Sequence, residues 1–408
     1  MGALAGLKVV DLTSVLMGPY ATQFLGDFGA DVIKVEAPAG DLVRSIGPGR
    51  SGEMGPIFLN ANRSKRSVVI DLKKPEGREL LLDLCKSADA LVYNVRPAAM
   101  ARLGLSYEEV SAVNPGIIYA GLYGYGQEGR YARRPAYDDL IQGGSTLPYL
   151  FNLAGSGEPR YVPAAIADRI VGLTALSGIL AALVQRERSG RGQRVDVPMF
   201  ETMVGFILGD HLGGLTFDPP AGPGGYPRQL ARDRKPFRTA DGYVCALVYT
   251  DDHWKRFLEA IGQADLAQED PRFASFGARM DNVAYVYAWL TDLFLTRTSQ
   301  EWIDLLDRLD VPVMAMHTLE TVLEDPHLQD VGFFRHVEHP SEGAMLSMAN
   351  PVRMSQTPVD PSRLAPRRGE HTREVLQELG VDGERIDSLL ERGVVAAEKH
   401  ADRPEKRG

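Results

Sequence analysis

One carboxylate, Asp168, stands immediately before a long apolar segment. From Ile170 to Val184 the chain has no charged residue, and small or apolar side chains would occupy every face of a helix. Asp168 has two interpretations. It caps the amino terminus of this helix, where aspartate is favoured, or it acts as a nucleophile on a rigid element, its anion stabilised by helix-terminal N–H groups. A nucleophilic carboxylate would form a covalent intermediate with its substrate.

The segment after Asp168 predicts a buried helix. A helix that is apolar on all sides belongs in the interior of a large protein or in a membrane. The uncharged run is shorter than the roughly 20 residues that span a bilayer, so we expect a core helix and no membrane span. Gly172 and Gly178 would let other backbone approach closely, and Gly190 is expected to end the helix.

Composition limits the class of protein. A chain of 408 residues is too long for one hydrophobic core, so two domains are expected. A net charge of −9 argues against nucleic acid or an anionic membrane as the main partner. The eight histidines show no HExxH spacing and no cysteine cluster, so no metal site is predicted. The amino terminus lacks the features of a signal peptide, which predicts a cytoplasmic protein.

The first 125 residues alternate strand-like and helix-like segments. Strands are predicted at residues 7–12, 30–36, 67–72, 88–93 and 117–123. This pattern is typical of βαβ units, so the predicted fold class is α/β with a doubly wound parallel sheet. No GxGxxG motif follows the first strand, so a dinucleotide site is not indicated.

Residues 218–229 are rich in Pro and Gly, which is typical of a loop or linker between domains. We expect a large domain beginning with residues 1–215, a small α+β domain at 225–325, and a carboxyl-terminal segment at 330–408. The last dozen residues are charged and lack apolar periodicity, so a frayed tail is expected.

Five segments, in order, resemble the family III CoA-transferases. They are LAGLKVVDLTSVLMGPYATQFLGDFGADVIKVEAP, NRSKRSVVIDLKKPEG, NVRPAAMARLGLSYEEV, RERSGRGQRVDVPM and GEHTREVLQELG. This family contains the formyl-CoA and carnitine type enzymes, named CaiB/BaiF, and is related to the α-methylacyl-CoA racemases. The resemblance implies a Rossmann-like large domain formed by both ends of the chain, a smaller domain, and a homodimer of interlocked subunits.

The resemblance also implies the chemistry and its site. Asp168 matches the aspartate that carries the acyl group and then coenzyme A, so the enzyme would move CoA from an acyl-CoA to a small free carboxylic acid. The implied contacts with CoA, a co-substrate, are Val15, Leu16, Lys73, Asn94, Val95 and Arg102. The implied acyl pocket contains Leu16, Tyr137, Asp138, Gly224 and Gly225, the two glycines forming either a lid or a simple linker.

Some basic residues have two interpretations. CoA carries about four negative charges, so an acidic protein must offer it a local basic patch. Arg63, Lys65 and Arg66 form one such cluster, and the alternative is an ordinary solvated face. Where formyl-CoA enzymes use arginine for the adenine, this chain has Ala37. Either Arg44 replaces that contact or the adenine is held differently.

Two alternative functions remain open. A racemase of this family uses a histidine at the position of Tyr137, and a tyrosine of reference pKa near 10 is a poor base at neutral pH, which favours transfer. The second alternative is a non-catalytic acyl-CoA binding protein. Leu16 replaces the glutamine of oxalate-using enzymes, which disfavours oxalate. Arg134 and Arg160 are candidates to pair with a second carboxylate of a dicarboxylic acid.

Overall fold

The computed structural model describes residues 1–359 and 363–398. Its strands are β1 (Lys8–Leu12), β2 (Asp31–Glu36), β3 (Lys65–Ile70), β4 (Ala90–Tyr93), β5 (Ile118–Tyr123), β6 (Gln193–Pro198), β7 (Phe237–Arg238), β8 (Tyr243–Ala246), β9 (Val313–Ala315), β10 (Phe334–His339), β11 (Gly343–Met348) and β12 (Val395–Ala396). Most of the predicted frayed tail lies outside the described residues.

The α-helices in the same residues are α1 (Met17–Asp27), α2 (Pro56–Ala61), α3 (Pro75–Lys86), α4 (Pro97–Arg102), α5 (Tyr107–Val113), α6 (Asp138–Gly144), α7 (Leu147–Phe151), α8 (Ile166–Ser189), α9 (Met199–His211), α10 (Pro227–Leu230), α11 (Asp251–Ala260), α12 (Leu266–Glu269), α13 (Phe276–Asp281), α14 (Val283–Phe294), α15 (Ser299–Arg308), α16 (Pro326–Asp330), α17 (Thr372–Glu378) and α18 (Gly383–Glu391). The chain divides into two compact units. The first contains residues 1–144, 163–204 and the described residues from 326 onward, and the second contains 145–162 and 205–325. The expected functional domain boundaries stay a prediction.

The first unit contains a seven-stranded sheet in the order β12-β3-β2-β1-β4-β5-β6. All neighbours are parallel except β12, which pairs antiparallel with β3. This confirms the predicted α/β class, and the order is that of a Rossmann-like sheet with its switch point between β1 and β4. One face is covered by α3, α5, α17 and α18, which bury Leu81, Val110, Leu376 and Ile386.

Helix α8 starts earlier and is less buried than expected. Its amino-terminal cap is Ala165, and Asp168 is the third helical residue, so the capping interpretation of Asp168 is wrong. Within the single chain α8 is not buried on every side, although the sequence predicted that it would be, because Leu173 is 43% exposed and Val184 is 54% exposed. The helix end was predicted correctly: Gly190 has the left-handed conformation, and its N–H donates to the carbonyl of Arg186.

Helix α8 packs inside the first unit against α1 and β6. An 18-residue window of α8 has a mean hydropathy of 1.7, apolar enough for a membrane span by composition and length, but core helices of soluble proteins share this property. The contact with α1 depends on Gly172. A Cβ atom there would lie 2.7 Å from the carbonyl oxygen of Met17, so the two helix backbones approach as the glycine predicts.

The second unit has its own sheet and its own core. Strands β7, β8 and β9 form a three-stranded antiparallel sheet. Phe237 stacks on Phe294 with ring centroids 4.5 Å apart, and Trp302 donates its indole N–H to the carbonyl of Phe294 over 2.8 Å. Thr298 and Glu301 form a capping box at the start of α15.

Candidate active site

A cavity of about 560 Å³ opens at the carboxyl edge of the large sheet. It is formed by the segments that follow β1, β4, β5 and β6, together with the start of α8. Ligands bind at this edge in open α/β sheets, beside the switch point. The lining residues are Ser14, Val15, Met17, Asn94, Val95, Arg96, Ala99, Arg102, Tyr123, Gly124, Arg134, Pro135, Ala136, Tyr137, Asp168 and Met199.

Asp168 lines this cavity from the first turn of α8. Burial, and after it the negative charge of Asp138, raise the pKa of its carboxyl to about 7, while the positive charge of Arg169 acts to lower it. The guanidinium of Arg169 lies over the ring of Tyr20, 4.3 Å from its centroid. A carboxylate with this pKa is a stronger base and a better nucleophile than an ordinary aspartate, and it is still substantially ionised at neutral pH.

Asp138 supports the start of α8 from outside the helix. Its Oδ2 accepts a hydrogen bond from the backbone N–H of Asp168 over 2.9 Å, and its Oδ1 accepts one from Nε2 of Gln142 over 2.6 Å. The first N–H groups of a helix lack partners within the helix. Asp138 therefore replaces the missing side-chain cap, which is why the helix can begin at an alanine.

The loop after β1 is fixed by the residue after β4. The backbone N–H of Ser14 donates to Oδ1 of Asn94 over 3.0 Å, and Nδ2 of Asn94 donates to the carbonyl of Ser14 over 2.7 Å. Val15 has a φ of 68°, a rare conformation for a β-branched residue, and its N–H donates to Asp41. Asn94 lines the cavity, but its amide is used to hold this loop.

Buried ion pairs lie directly behind the loop. Lys34 donates to Oδ2 of Asp41 and to the carbonyl of Thr13, each over 2.9 Å. Lys65 donates to Oδ2 of Asp11 over 3.0 Å. Burial acts to raise the pKa of Asp11, but Lys65 and Lys34 lower it to about 2. Lys34 and Asp41 therefore tie both Thr13 and Val15 of the loop to a buried ion pair.

The predicted basic cluster is structural. Arg63 pairs with Asp27, Lys65 with Asp11, and Arg66 with Asp31, Glu374 and Glu378. All three cations are buried, so both interpretations, a CoA patch and a solvated face, are wrong for them. Lys65 and Arg66 are on β3, which is buried along its whole length, and Arg63 lies two residues before it. Acidic side chains from neighbouring elements neutralise all three cations.

A second cavity of about 230 Å³ adjoins the first and shares Ser14 and Val95 with it. Ala37, Leu72, Met100 and Leu103 give it apolar walls. An apolar slot of this kind suits a flat heterocycle without requiring an arginine.

The candidate replacement for the missing arginine is not free. Arg44 is buried, forms two hydrogen bonds with the Glu36 carboxylate, and lies over the ring of Phe58, 3.6 Å from its centroid. Its guanidinium is therefore occupied, and the expectation that it replaces the adenine contact is wrong.

The structure brings together most of the predicted site. Val15, Asn94, Val95, Arg102, Tyr137 and Asp168 line one cavity, and Asp138 contacts the backbone of Asp168. Lys73 lies in a neighbouring open depression that Arg102 also lines. Leu16 is buried as the cap of α1 and is not among the residues that line the main cavity.

The predicted site residues Gly224 and Gly225 belong to the second unit, and their role stays a prediction. Arg160 is exposed there and forms an ion pair with Glu158. Over residues 1–359 and 363–398, no group of three or more His, Cys, Asp or Glu side chains is arranged to hold a metal ion.

Several lining residues were not predicted. Tyr123 is the last residue of β5, and Met199 follows β6. The position of each at the end of a parallel strand, or just after it, was the available signal, because that edge is where such sheets bind ligands. β6 itself was not predicted, because its polar alternation looks like a loop.

The order of the strands and the cavity beside the switch point are those of a Rossmann-like α/β enzyme. The carboxylate of Asp168 lines that cavity. The chain belongs to CoA-transferase family III: the model of that family matches residues 4–372. This confirms the resemblance. The protein is an enzyme of this family, whose members use acyl-CoA as co-substrate.

Characterised relatives cover nearly the whole chain. The succinyl-CoA:mesaconate CoA-transferase of Haloarcula hispanica is 34% identical, and the match covers 93% of this chain and 97% of the relative. The human succinyl-CoA:glutarate CoA-transferase is 30% identical, with 96% and 90% covered. A crystal structure of a CaiB/BaiF family protein from Brucella suis has a TM-score of 0.77 at 32% identity, covering 93% of this chain and 99% of that one.

Proposed function

We propose that this enzyme moves coenzyme A from an acyl-CoA thioester to a small free carboxylic acid through covalent intermediates on Asp168. The observation that supports this most is the carboxyl of Asp168, which faces a cavity large enough for a pantetheine arm and has a pKa raised to about 7. The relatives named as CoA-transferases support the reaction class.

The first half of the reaction releases the donor's acid. The Asp168 carboxylate attacks the thioester carbonyl, and the carbon–sulfur bond breaks to give a mixed anhydride and the CoA thiolate. The thiolate then attacks the aspartyl carbonyl of the anhydride. The bridging oxygen leaves with the acyl group as the first carboxylate, and Asp168 holds CoA as a thioester.

The second half repeats these steps in reverse. The incoming carboxylate attacks the aspartyl thioester, expels the thiolate and forms a new anhydride. The thiolate attacks the carbonyl of the new acyl group, which leaves as acyl-CoA and regenerates the Asp168 carboxylate. One oxygen of the incoming acid stays on Asp168. Thioester energy is conserved only while water is excluded from the site.

CoA is expected to lie along the carboxyl edge of the sheet. Its pantetheine passes the loop at Val15, its adenine occupies the apolar slot of Leu72, Met100 and Leu103, and its phosphates lie near Lys73 and Arg102. The two cationic side chains share one depression, so they can bind a phosphate together. Asn94 acts by fixing the loop.

We also propose a cytoplasmic homodimer with interlocked subunits, as the family resemblance implies. Helix α8 presents an apolar stripe containing Leu173 and Val184, and Leu140 on α6 is 54% exposed. Exposed apolar side chains grouped on neighbouring helices are typical of a surface that binds another protein chain. Light scattering coupled to gel filtration tests this: a monomeric mass at micromolar concentration would contradict it.

The reaction is tested by incubating the protein with an acyl-CoA and a panel of free acids, with mass spectrometry of the thioesters formed. We expect exchange by the wild type and a loss of about 10⁴-fold in Asp168→Ala. Asp139→Ala, which removes an exposed acid near Asp138, is the matched control and should keep full activity. Binding of acyl-CoA without exchange would favour a non-catalytic binding protein, and solvent deuterium at the α-carbon would favour a racemase.

A further inference from the structure

We propose that Arg134 selects dicarboxylic acids by pairing with the carboxylate that does not react. This inference rests on the proposed function and deepens it, because it assigns the substrate class of the same site. Every acid that accepts CoA must present one carboxylate to Asp168. A second carboxylate on the same molecule would need a cation elsewhere in the cavity.

Three arginines line the cavity, and they come from two different segments. Arg96 and Arg102 follow β4, and Arg102 also lines the depression that contains Lys73. Arg134 comes from the segment that continues through Pro135 and Ala136 to Tyr137, which lines the cavity along its whole length. In the proposed binding of CoA, Arg102 lies near the phosphates, whereas Arg134 is on the same segment as Tyr137, which the family resemblance assigns to the acyl pocket.

The guanidinium of Arg134 is oriented but not neutralised. It lies over the ring of Tyr131, 4.1 Å from the ring centroid, and the backbone N–H of Arg134 donates to the carbonyl of Tyr131 over 2.8 Å. Stacking fixes the plane of a guanidinium and leaves its N–H edge available for a carboxylate. In the part of the chain that the structure describes, no acidic side chain forms an ion pair with Arg134.

The charges in the cavity favour a second anion. Asp168 is the one acidic side chain among the described lining residues. In the proposed reaction it bonds to the carboxylate of the incoming acid that accepts CoA. Once Asp168 holds CoA as a thioester it carries no charge, so Arg134 faces the cavity as a cation without a protein anion. A planar guanidinium binds a carboxylate through two parallel hydrogen bonds, which gives geometric selectivity as well as affinity.

The test is competition between two acids of equal chain length, succinate and butyrate, for CoA from one acyl-CoA donor. Competition cancels any effect of the variant on the donor. We expect the wild type to prefer succinate by about 100-fold, the difference a charge-assisted pair contributes. Arg134→Gln should bring the ratio close to one, and Arg134→Lys should retain part of the preference.

Arg133→Gln is the matched control, because Arg133 is exposed like Arg134 but is not among the cavity-lining residues. It should keep the wild-type ratio. A wild-type ratio retained by Arg134→Gln, or equal use of both acids by the wild type, would overturn the inference. No transfer to either acid by the wild type would instead contradict the proposed function itself. Thermal unfolding of each variant confirms that it is folded before ratios are compared.

Discussion

Oδ2 of Asp138 lies 2.9 Å from the backbone nitrogen of Asp168 and accepts its hydrogen bond. The two acids thus have different tasks in one site. Asp138 holds the first turn of α8 in place and, as a neighbouring negative charge, adds to the burial that raises the pKa of Asp168. Asp138 therefore both positions the proposed nucleophile and raises its pKa.

The pKa of Asp168 predicts a pH dependence. Only the ionised carboxylate attacks, so kcat/KM should rise with pH and level off above about pH 7. In Asp138→Asn the amide oxygen can still accept the N–H, but the negative charge is gone. The pKa of Asp168 then falls, and the acidic limb should move to lower pH. Steady-state kinetics from pH 5 to 9, in steps of about half a unit, measures both limbs. An unmoved limb in the variant would contradict the electrostatic role of Asp138.

Asn94 is expected to be a positioning residue. Asn94→Ala removes both hydrogen bonds to Ser14, so Val15 loses support for its positive φ. We expect a loss of about 1–2 kcal/mol in unfolding free energy and a fall of about 10–100-fold in kcat/KM. Asn60→Ala, which removes an amide bonded to its own helix, should leave kcat/KM unchanged. Equal kinetic effects of the two substitutions would exclude a specific role for Asn94.

Gly172 is expected to tolerate no side chain. In Gly172→Ala the Cβ would lie 2.7 Å from the Met17 carbonyl oxygen, so α1 must move, at a cost of about 1–3 kcal/mol. In Gly178→Ala the Cβ meets only the end of the Val195 side chain at 3.2 Å, and helix propensity favours alanine. Urea unfolding should show destabilisation of the first variant alone. Similar midpoints for both would contradict the close approach of the helices.

The buried pair of Lys65 and Asp11 predicts a large effect of removing one partner. Lys65→Met leaves the Asp11 carboxylate buried without its cation, which should cost about 3–5 kcal/mol. Lys86→Met breaks an exposed pair with Asp83 and should cost less than about 1 kcal/mol. Because the pKa of Asp11 is lowered to about 2, its contribution to stability is present above pH 4 and is lost as the pH falls towards 2. Unfolding at pH 7 compares the two variants, and equal costs would contradict the burial of the pair.

The sequence predicted the parallel sheet well, because apolar strands separated by helices leave few alternatives. The predicted strand at 88–93 is β4, and the predicted end of α8 at Gly190 is observed. The strand at 67–72 starts two residues earlier, at Lys65. Charged residues obscured that start, because a buried cation looks in sequence like a solvent-exposed one.

The candidate site was only partly predictable. Motif resemblance located Asp168, Tyr137 and Arg102, since each lies in a conspicuous segment. It could not show that Asn94 bonds the loop or that Leu16 is buried, because those facts depend on contacts between residues far apart in the chain. The partner that replaces the helix cap, Asp138, is 30 residues from Asp168 for the same reason.

The most direct test of the account is the fate of the incoming acid's oxygen. The acid is labelled with ¹⁸O in its carboxylate, the enzyme completes one turnover with an unlabelled acyl-CoA, and the digested protein is analysed by mass spectrometry. Transfer through covalent intermediates on Asp168 predicts one heavy oxygen on the peptide containing Asp168 and none on the peptide containing Asp138. Full exchange of CoA with no label on Asp168 would mean direct transfer between the two acids and would contradict the account.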